Sequence, residues 1–250
     1  WTLSRGLGDV YKRQFLDRAT IMMEEGIDPV FIFDGKPHQL KMETLGGRRE
    51  RKVSAMSKWE DAIEAGDMAA AKKLGPQTAE YTREMVAETK ELFDCLGVTW
   101  LEAPMEAEGA AAVRCRNKEV FAVASQDWDT LLYGAPVMIR NLTSHGTRKF
   151  GRVLHAEKII LSEMLEMHEI TYEQLVDLGI MIGTDFHPGI KGIGPKTGLK
   201  LIRKHGTMEE VAIAKEFELP ENLEEIRELF TNHPIPVSYT HLRAHETESN

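Results

Sequence analysis

Short, unalternated apolar runs, separated by longer stretches of helical periodicity, organise this chain. Val120–Ala124 is one such run and breaks off into Asp127 and Asp129. Val30-Phe31-Ile32-Phe33 is a second and runs into Asp34, while Thr99-Trp100-Leu101 is a third and is followed by Glu106 and Glu108. Strands buried on both faces of a parallel sheet read as continuous apolar runs rather than alternating ones. Between them, Phe15–Glu25 carries Leu16, Ala19, Ile21, Met22 and Met23 on a helical period and stops at Gly26. Thr78–Leu96 puts Met85, Val86, Thr89, Leu92, Phe93 and Leu96 on one stripe closed by Gly97, which predicts a core-facing helix. The alternation predicts an α/β fold with a parallel sheet flanked by helices.

Further along, Val137–Leu142 reads as a strand, Ser144–Thr147 as a polar turn into Lys149–Leu154, and Ala156–Met167 as helix. Thr171 with Gln174 three residues on is a capping-box signature for a helix that ends at Gly183 and delivers Asp185. Gly189–Lys196 is a glycine-punctuated turn that opens a helix through His205, with Pro195 at its first position and a second helix in Met208–Phe217. After the Gly35-Lys36-Pro37 turn, Lys41–Lys73 is rich in charge and includes Arg48-Arg49-Glu50-Arg51-Lys52. That run is either a solvated helix face or a segment hanging over an active site to meet phosphates. Trp1–Gln14 and Val237–Asn250 show no sustained periodicity and resemble translated adapter sequence, so the natural fragment is expected from about Phe15 to Pro236.

Composition narrows the chemistry. A chain of 250 residues, 42% hydrophobic, fits one large domain or two small ones with a sizeable core. Its two cysteines, Cys95 and Cys115, lack metal-type spacing, so both are expected reduced, as in an intracellular protein. No apolar run approaches the roughly 20 residues that span a bilayer. The formal charge of -9 argues on its face against a nucleic-acid partner, but carboxylates gathered for metal binding inflate that sum while basic residues cluster elsewhere. Six acids at strand or helix ends, Asp34, Glu106, Glu108, Asp127, Asp129 and Asp185, would repel one another unless divalent cations neutralise them. Oxygen-only ligands suit Mg²⁺ or Mn²⁺. Residues two apart on a regular helix point about 200° apart, so Glu106 and Glu108 can share a site only at the first turn. The glycine turn exposes N–H groups at a helix start, and Lys191, Lys196, Lys200, Arg203 and Lys204 surround it, a phosphate seat for DNA backbone.

FDGKP at 33–37, APMEAE at 103–108, ASQDWDTLLYGAP at 124–136 and GTDFHPGIKGIGPKTGLKLIRKHG at 183–206 resemble the motifs of flap structure-specific endonucleases, in wording closest to archaeal members. The resemblance implies a PIN-like nuclease core over 15–183 with a helical arch at about 38–96. It also implies a helix-two-turn-helix (helix-hairpin-helix-like) DNA-binding module over 184–236. The activity implied is cutting of 5′ flaps at single-strand/double-strand junctions in replication and repair, with 5′-3′ exonuclease activity. Asp34, Glu106, Glu108, Asp127, Asp129 and Asp185 match the family's acids for two Mg²⁺ ions, with Mn²⁺ as substitute. Lys41 and Arg48 match its arch-base cations, and Gly192, Gly194 and Lys196 match the turn that holds duplex backbone with a bound K⁺. Branched DNA is the implied partner, with a sliding clamp for the full-length parent although no clamp-binding peptide is read here, and no membrane. The implied location is the cytoplasm, or the nucleus if the source is eukaryotic. The family also carries an aspartate on a first strand upstream of FDGKP; Asp9 is no substitute, so a central strand of the sheet is expected to be missing. Two alternatives stay open: a related 5′ exonuclease or bubble-cutting endonuclease, separated by its arch segment, and a DNA-junction-binding protein without turnover.

Overall fold

The computed structural model describes residues 2–67, 70, 82–144, 146–149 and 151–234. Helix α1 spans Thr2–Glu24, β1 Val30–Phe33, α2 Gln39–Glu64, α3 Arg83–Leu96 and β2 Thr99–Glu102. Then come α4 Ala107–Arg116, β3 Val123–Ala124, the single turn α5 Asp129–Leu132 and β4 Val137–Arg140. A small hairpin, β5 Arg148–Lys149 and β6 Arg152–Val153, precedes β7 Glu157–Ile160 and α6 Leu161–His168. Four helices complete the described chain: α7 Tyr172–Ile182, α8 Pro195–His205, α9 Met208–Lys215 and α10 Leu223–Thr231.

The sheet is not the single parallel layer that the apolar runs predict. Strands β1 and β2 pair in parallel, Val30 opposite Thr99 through Phe33 opposite Glu102. Strands β3, β4 and β7 form a separate group in which β3 and β4 are parallel and β7 is antiparallel to β4. Helix α4 packs against both β1 and β3 and so bridges the two pieces. Residues 157–160, expected to begin a helix, are instead β7. Their two isoleucines pair with Val137 and Met138, and β-branched residues facing a pleated partner override a weak helical start.

Two clusters of apolar side chains lie behind these sheets. The smaller joins Ala19, Phe93, Val98 and Trp100, with Phe15, Phe31, Phe33 and Leu96 packed on it. Its centre is the stacked pair Phe31–Phe93, ring centroids 4.3 Å apart. The larger runs from Val123 and Leu132 through Val176, Ile180 and Ile202 to Ile226 and Phe230. Helix α3 belongs to the smaller cluster, so the second part of the span expected as arch lies in the core. Between α2 and α3, residues 68–69 and 71–81 lie outside the described residues, whereas α2 runs continuously through Gly46-Gly47. Helix α1 starts at Thr2 rather than near Phe15, and Lys12 within it lies 2.9 Å from Glu88 of α3, so the segment read as foreign prolongs a helix of the fold. Of the other such segment, 237–250 lies outside the described residues.

One close approach ties the first motif to the second. Gly35 N–H donates to Met105 O at 2.7 Å, and a Cβ on Gly35 would fall 2.0 Å from Ala103 O and 2.8 Å from the Pro104 backbone. Gly35→Ala is therefore expected to destabilise the chain by about 1–3 kcal/mol, as overpacking does. Urea unfolding checks it, and an unchanged midpoint would show that the two loops part freely.

Candidate active site

The acids that end the apolar runs come together around the start of α4. Asp34 directly follows β1, and its Oδ1 accepts the Ala107 N–H at 2.8 Å, capping α4 from another strand. Glu106 is the N-cap residue of that helix, with extended backbone at φ -80 and ψ 132. Because Glu106 stands outside the helix and Glu108 is in its first turn, their two-residue spacing does not turn them to opposite sides. Both also sit where the positive end of the helix favours negative charge. Lys41, in the first turn of α2, donates to the buried Glu106 carboxylate and lies 3.2 Å from Asp185 Oδ2. A second chain of contacts starts at Glu108. Ser125 Oγ donates to Glu108 Oε1 at 3.3 Å and accepts the Asp127 N–H at 3.0 Å, and Asp127 Oδ1 accepts the Asp129 N–H at 3.1 Å.

The carboxylates act on Glu108 and on Tyr133 through space. The Glu108 carboxyl is pushed up to about 7, first by burial, then by the charges of Asp127 and Asp34, with Asp129 adding to them and the Ser125 hydroxyl opposing. Buried Tyr133 beneath them has its phenol raised by burial and then by Glu106, Asp129, Glu108 and Asp185. Burial pulls the Lys41 ammonium down, but Glu106 and Asp185 outweigh it and hold it above its ordinary value. Among the described residues no three acidic, histidine or cysteine side chains stand close enough to make a ready metal cage. Lys41 engages two of the acids, and Asp34 is turned to a backbone amide.

The second motif forms the expected pair of helices. Gly192 has φ +88, a left-handed conformation that favours glycine. Gly194 caps α8, and Pro195 opens it. Lys191, Lys196, Lys200 and Lys204 are exposed around this turn. Arg203 is exposed too, but its Nε donates to His168 O at 2.5 Å and its guanidinium lies 3.7 Å from Glu169. It is thus partly engaged with the protein.

This arrangement has relatives. The XPG N-terminal domain matches residues 3–55, beginning inside the segment read as foreign, and the XPG I-region matches residues 97–185, from before β2 to Asp185. Flap endonuclease 1 of Methanoculleus marisnigri is 43% identical over 228 residues, which are 90% of this chain and 68% of that protein. That of Methanosarcina barkeri is 43% identical over 241 residues, 94% of this chain and 71% of the relative. The chain belongs to the flap endonuclease family.

Among solved structures, flap endonuclease-1 from Methanococcus jannaschii superposes with a TM-score of 0.65 at 36% identity, covering 89% of this chain and 67% of that one. The catalytic core of Rad2, solved with a DNA substrate, superposes at 0.66 with 21% identity, covering 88% of this chain and 70% of that one, a likeness of fold. Of the six acids named from sequence, Glu106 and Asp185 meet at Lys41 of α2, Glu108 and Asp127 meet at Ser125 with Asp129 bonded to Asp127, and Asp34 is held at the Ala107 amide. The side chain of Arg48 lies outside the described residues. Ser125 and Tyr133 were not singled out beforehand. Ser125 carried a signal, a hydroxyl two residues before Asp127 at a strand end, whereas Tyr133 reads in sequence only as core.

The raised Glu108 gives a pH signature with a definite sign. Its folded-state value lies above its unfolded one, so the native state holds the proton that the unfolded state releases. Stability of the metal-free chain is therefore expected to fall as pH rises from about 4.5 to about 7. Glu108→Gln should flatten that slope in EDTA-treated protein followed by thermal melting, and an unaltered slope would assign it to other groups.

Proposed function

We propose that this chain hydrolyses phosphodiester bonds of branched DNA, cutting 5′ flaps where single strand meets duplex, with Mg²⁺ as cofactor and Mn²⁺ as substitute. The observation that carries the reading is the gathering of Asp34, Asp127 and Asp129 about Glu108 and of Glu106 and Asp185 about Lys41, in a member of the flap endonuclease family. The residues fit divalent cations: the donors are all carboxylate oxygens, which hard cations take, and the repulsion that raises Glu108 is what added positive charge relieves. Asp34, Glu106, Glu108, Asp127, Asp129 and Asp185 would hold two of them. Bound there, such ions supply Lewis acidity toward the phosphate and an acidified water.

The chain's own groups do the rest. Ser125 orients Glu108 and, through the Asp127 amide, the loop bearing both aspartates. Lys41 holds Glu106 and Asp185 in place and offers positive charge to an incoming phosphate. Arg48, farther along α2, is suited to grip phosphoryl oxygens bidentately. The turn at Gly192 and Gly194 seats duplex backbone with Lys191, Lys196, Lys200, Arg203 and Lys204, and its backbone oxygens are donors of the type K⁺ takes. We infer in the same terms a parent enzyme that meets a sliding clamp and works where chromosomal DNA lies, the cytoplasm for an archaeal cell.

A gel assay tests this with 5′-flap, nicked and blunt duplexes, each with and without Mg²⁺. The expected outcome is cutting of the flap substrate alone or strongly preferred, and only with the metal. Binding without turnover in Mg²⁺ would make the chain a junction-binding protein. Preference for blunt or nicked ends would make it an exonuclease.

A further inference from the structure

Trp128 stands between Asp127 and Asp129 in the chain, yet none of the hydrogen bonds that join those acids runs through its side chain. Trp128 as a whole is 52% exposed, and the Arg140 guanidinium lies over its ring, 4.4 Å from the centroid. Arg140 reaches the indole from the end of β4. It faces Glu157 across the strand pair at 3.7 Å, and its buried Nε has no hydrogen-bond partner among the described residues. The guanidinium is thus laid on the ring rather than committed to a two-pronged carboxylate pair, a geometry that Arg favours through its flat, weakly hydrated cation. Next to the indole opens a cavity of about 820 Å³, lined by Trp128 and Asp129 on the acid side and by Pro195 and Lys196 of the glycine turn. Met164, Leu178 and Leu199 make it largely apolar.

A strand held both at the acids and at the glycine turn has to pass this opening. What it meets there is a half-exposed tryptophan backed by a cation, a combination that stacks nucleobases and does not read their sequence, because every base has a π-face. We infer that Trp128, backed by Arg140, is a stacking shelf for an unpaired nucleobase beside the bond that is cut, an inference that rests on the nuclease reading above. A base still stacked inside duplex cannot reach the shelf. The contact therefore favours substrates with an unpaired nucleotide at the junction, whatever the base.

The test uses the full chain as wild type, Trp128→Leu and Trp128→Phe, and 5′-flap DNA carrying 2-aminopurine or an abasic site at the nucleotides flanking the junction. Binding is measured in EDTA and cutting of unmodified flap in Mg²⁺. Trp128→Leu is expected to bind intact flap roughly tenfold more weakly than wild type. An abasic site should cost wild type a similar factor and cost Trp128→Leu almost nothing more. Emission of 2-aminopurine should fall on binding to wild type and to Trp128→Phe, but not to Trp128→Leu. Losses that multiply independently, or full quenching by Trp128→Leu, would overturn the shelf while wild-type cutting stayed intact. Absence of cutting by wild type would instead bring down the nuclease reading beneath it. Trp128→Phe keeps an aromatic face and guards against a folding defect in the leucine variant, and matched thermal melts of all three proteins check it directly.

Discussion

Asp127→Ala and Asp129→Ala are each expected to lower the rate of flap cutting by more than about 10²-fold, beyond the 10- to 100-fold loss typical of a group one shell removed from a metal. DNA binding should stay within a few-fold of wild type. The two effects separate because the two tasks use different parts of the molecule. Asp127 is exposed and Asp129 half-buried at the end of β3, joined to Glu108 through Ser125, so their loss leaves the core intact. On the proposed reading the lysines around Gly192 and Gly194 hold the duplex backbone, and removing a carboxylate near phosphates does not weaken an attraction. Single-turnover cutting and a gel shift in EDTA check both halves. Wild-type-like cutting in either variant would reject the carboxylates as the catalytic centre, and loss of binding together with cutting would make them structural.

Arg227→Met carries the largest expected effect on stability. Arg227 donates from Nε and one terminal nitrogen to both oxygens of Asp177 at 2.8 Å each, and its guanidinium also engages Glu209 and Glu224. Asp177 is buried, and its Oδ2 accepts the Met208 N–H at 2.9 Å. One side chain on α10 thereby fastens α7 and the start of α9, the frame behind the glycine turn. Removing it strands a buried carboxylate, which typically costs about 3–5 kcal/mol. Urea unfolding should show a lower midpoint with little change in slope. Arg227→Lys should recover only part of the loss, since an ammonium cannot make the two-pronged contact. A change of under about 1 kcal/mol in Arg227→Met would mean that the helices are held by packing alone.

The same network sets acid stability, with a sign opposite to that of Glu108. The Arg227 hydrogen bond is the main cause that holds the Glu209 carboxyl down to about 2, against partial burial. A depressed folded-state value contributes stability that is present above the unfolded carboxylate range of about 4.5 and lost as pH falls toward 2. Glu209 is well exposed, so solvent screening keeps that contribution modest. In Arg227→Met the acid limb should disappear while the limb belonging to Glu108 remains.

Legibility from the sequence followed the range of the interaction that decides each feature. Thr171 and Gln174 close a capping box at the start of α7, and Pro195 opens α8 while Gly97 ends α3 in a left-handed turn. Each is settled by atoms within one helical turn, and each was readable. The acids after the apolar runs were readable too, but the runs are not strands buried on both faces: of Val120–Ala124 only Val123 and Ala124 are strand, Phe121 is 76% exposed, and β1 is half-buried throughout. Residues 157–160 went the other way. Nothing local distinguishes them from a helix start, and only the arrival of β4 makes them a strand.

By itself, then, the sequence determined most of the elements and their order, and picked out the six acids and the glycine turn to which the proposed chemistry is assigned, because propensity, capping and burial pattern act over a few residues. Only the tertiary structure decided that the sheet divides in two, that Lys41 settles between Glu106 and Asp185, that Ser125 links Glu108 to Asp127, and that Trp128 lies open beneath Arg140. Those contacts join residues far apart in the chain. Their geometry follows from how helices and strands pack, which no short window of sequence encodes.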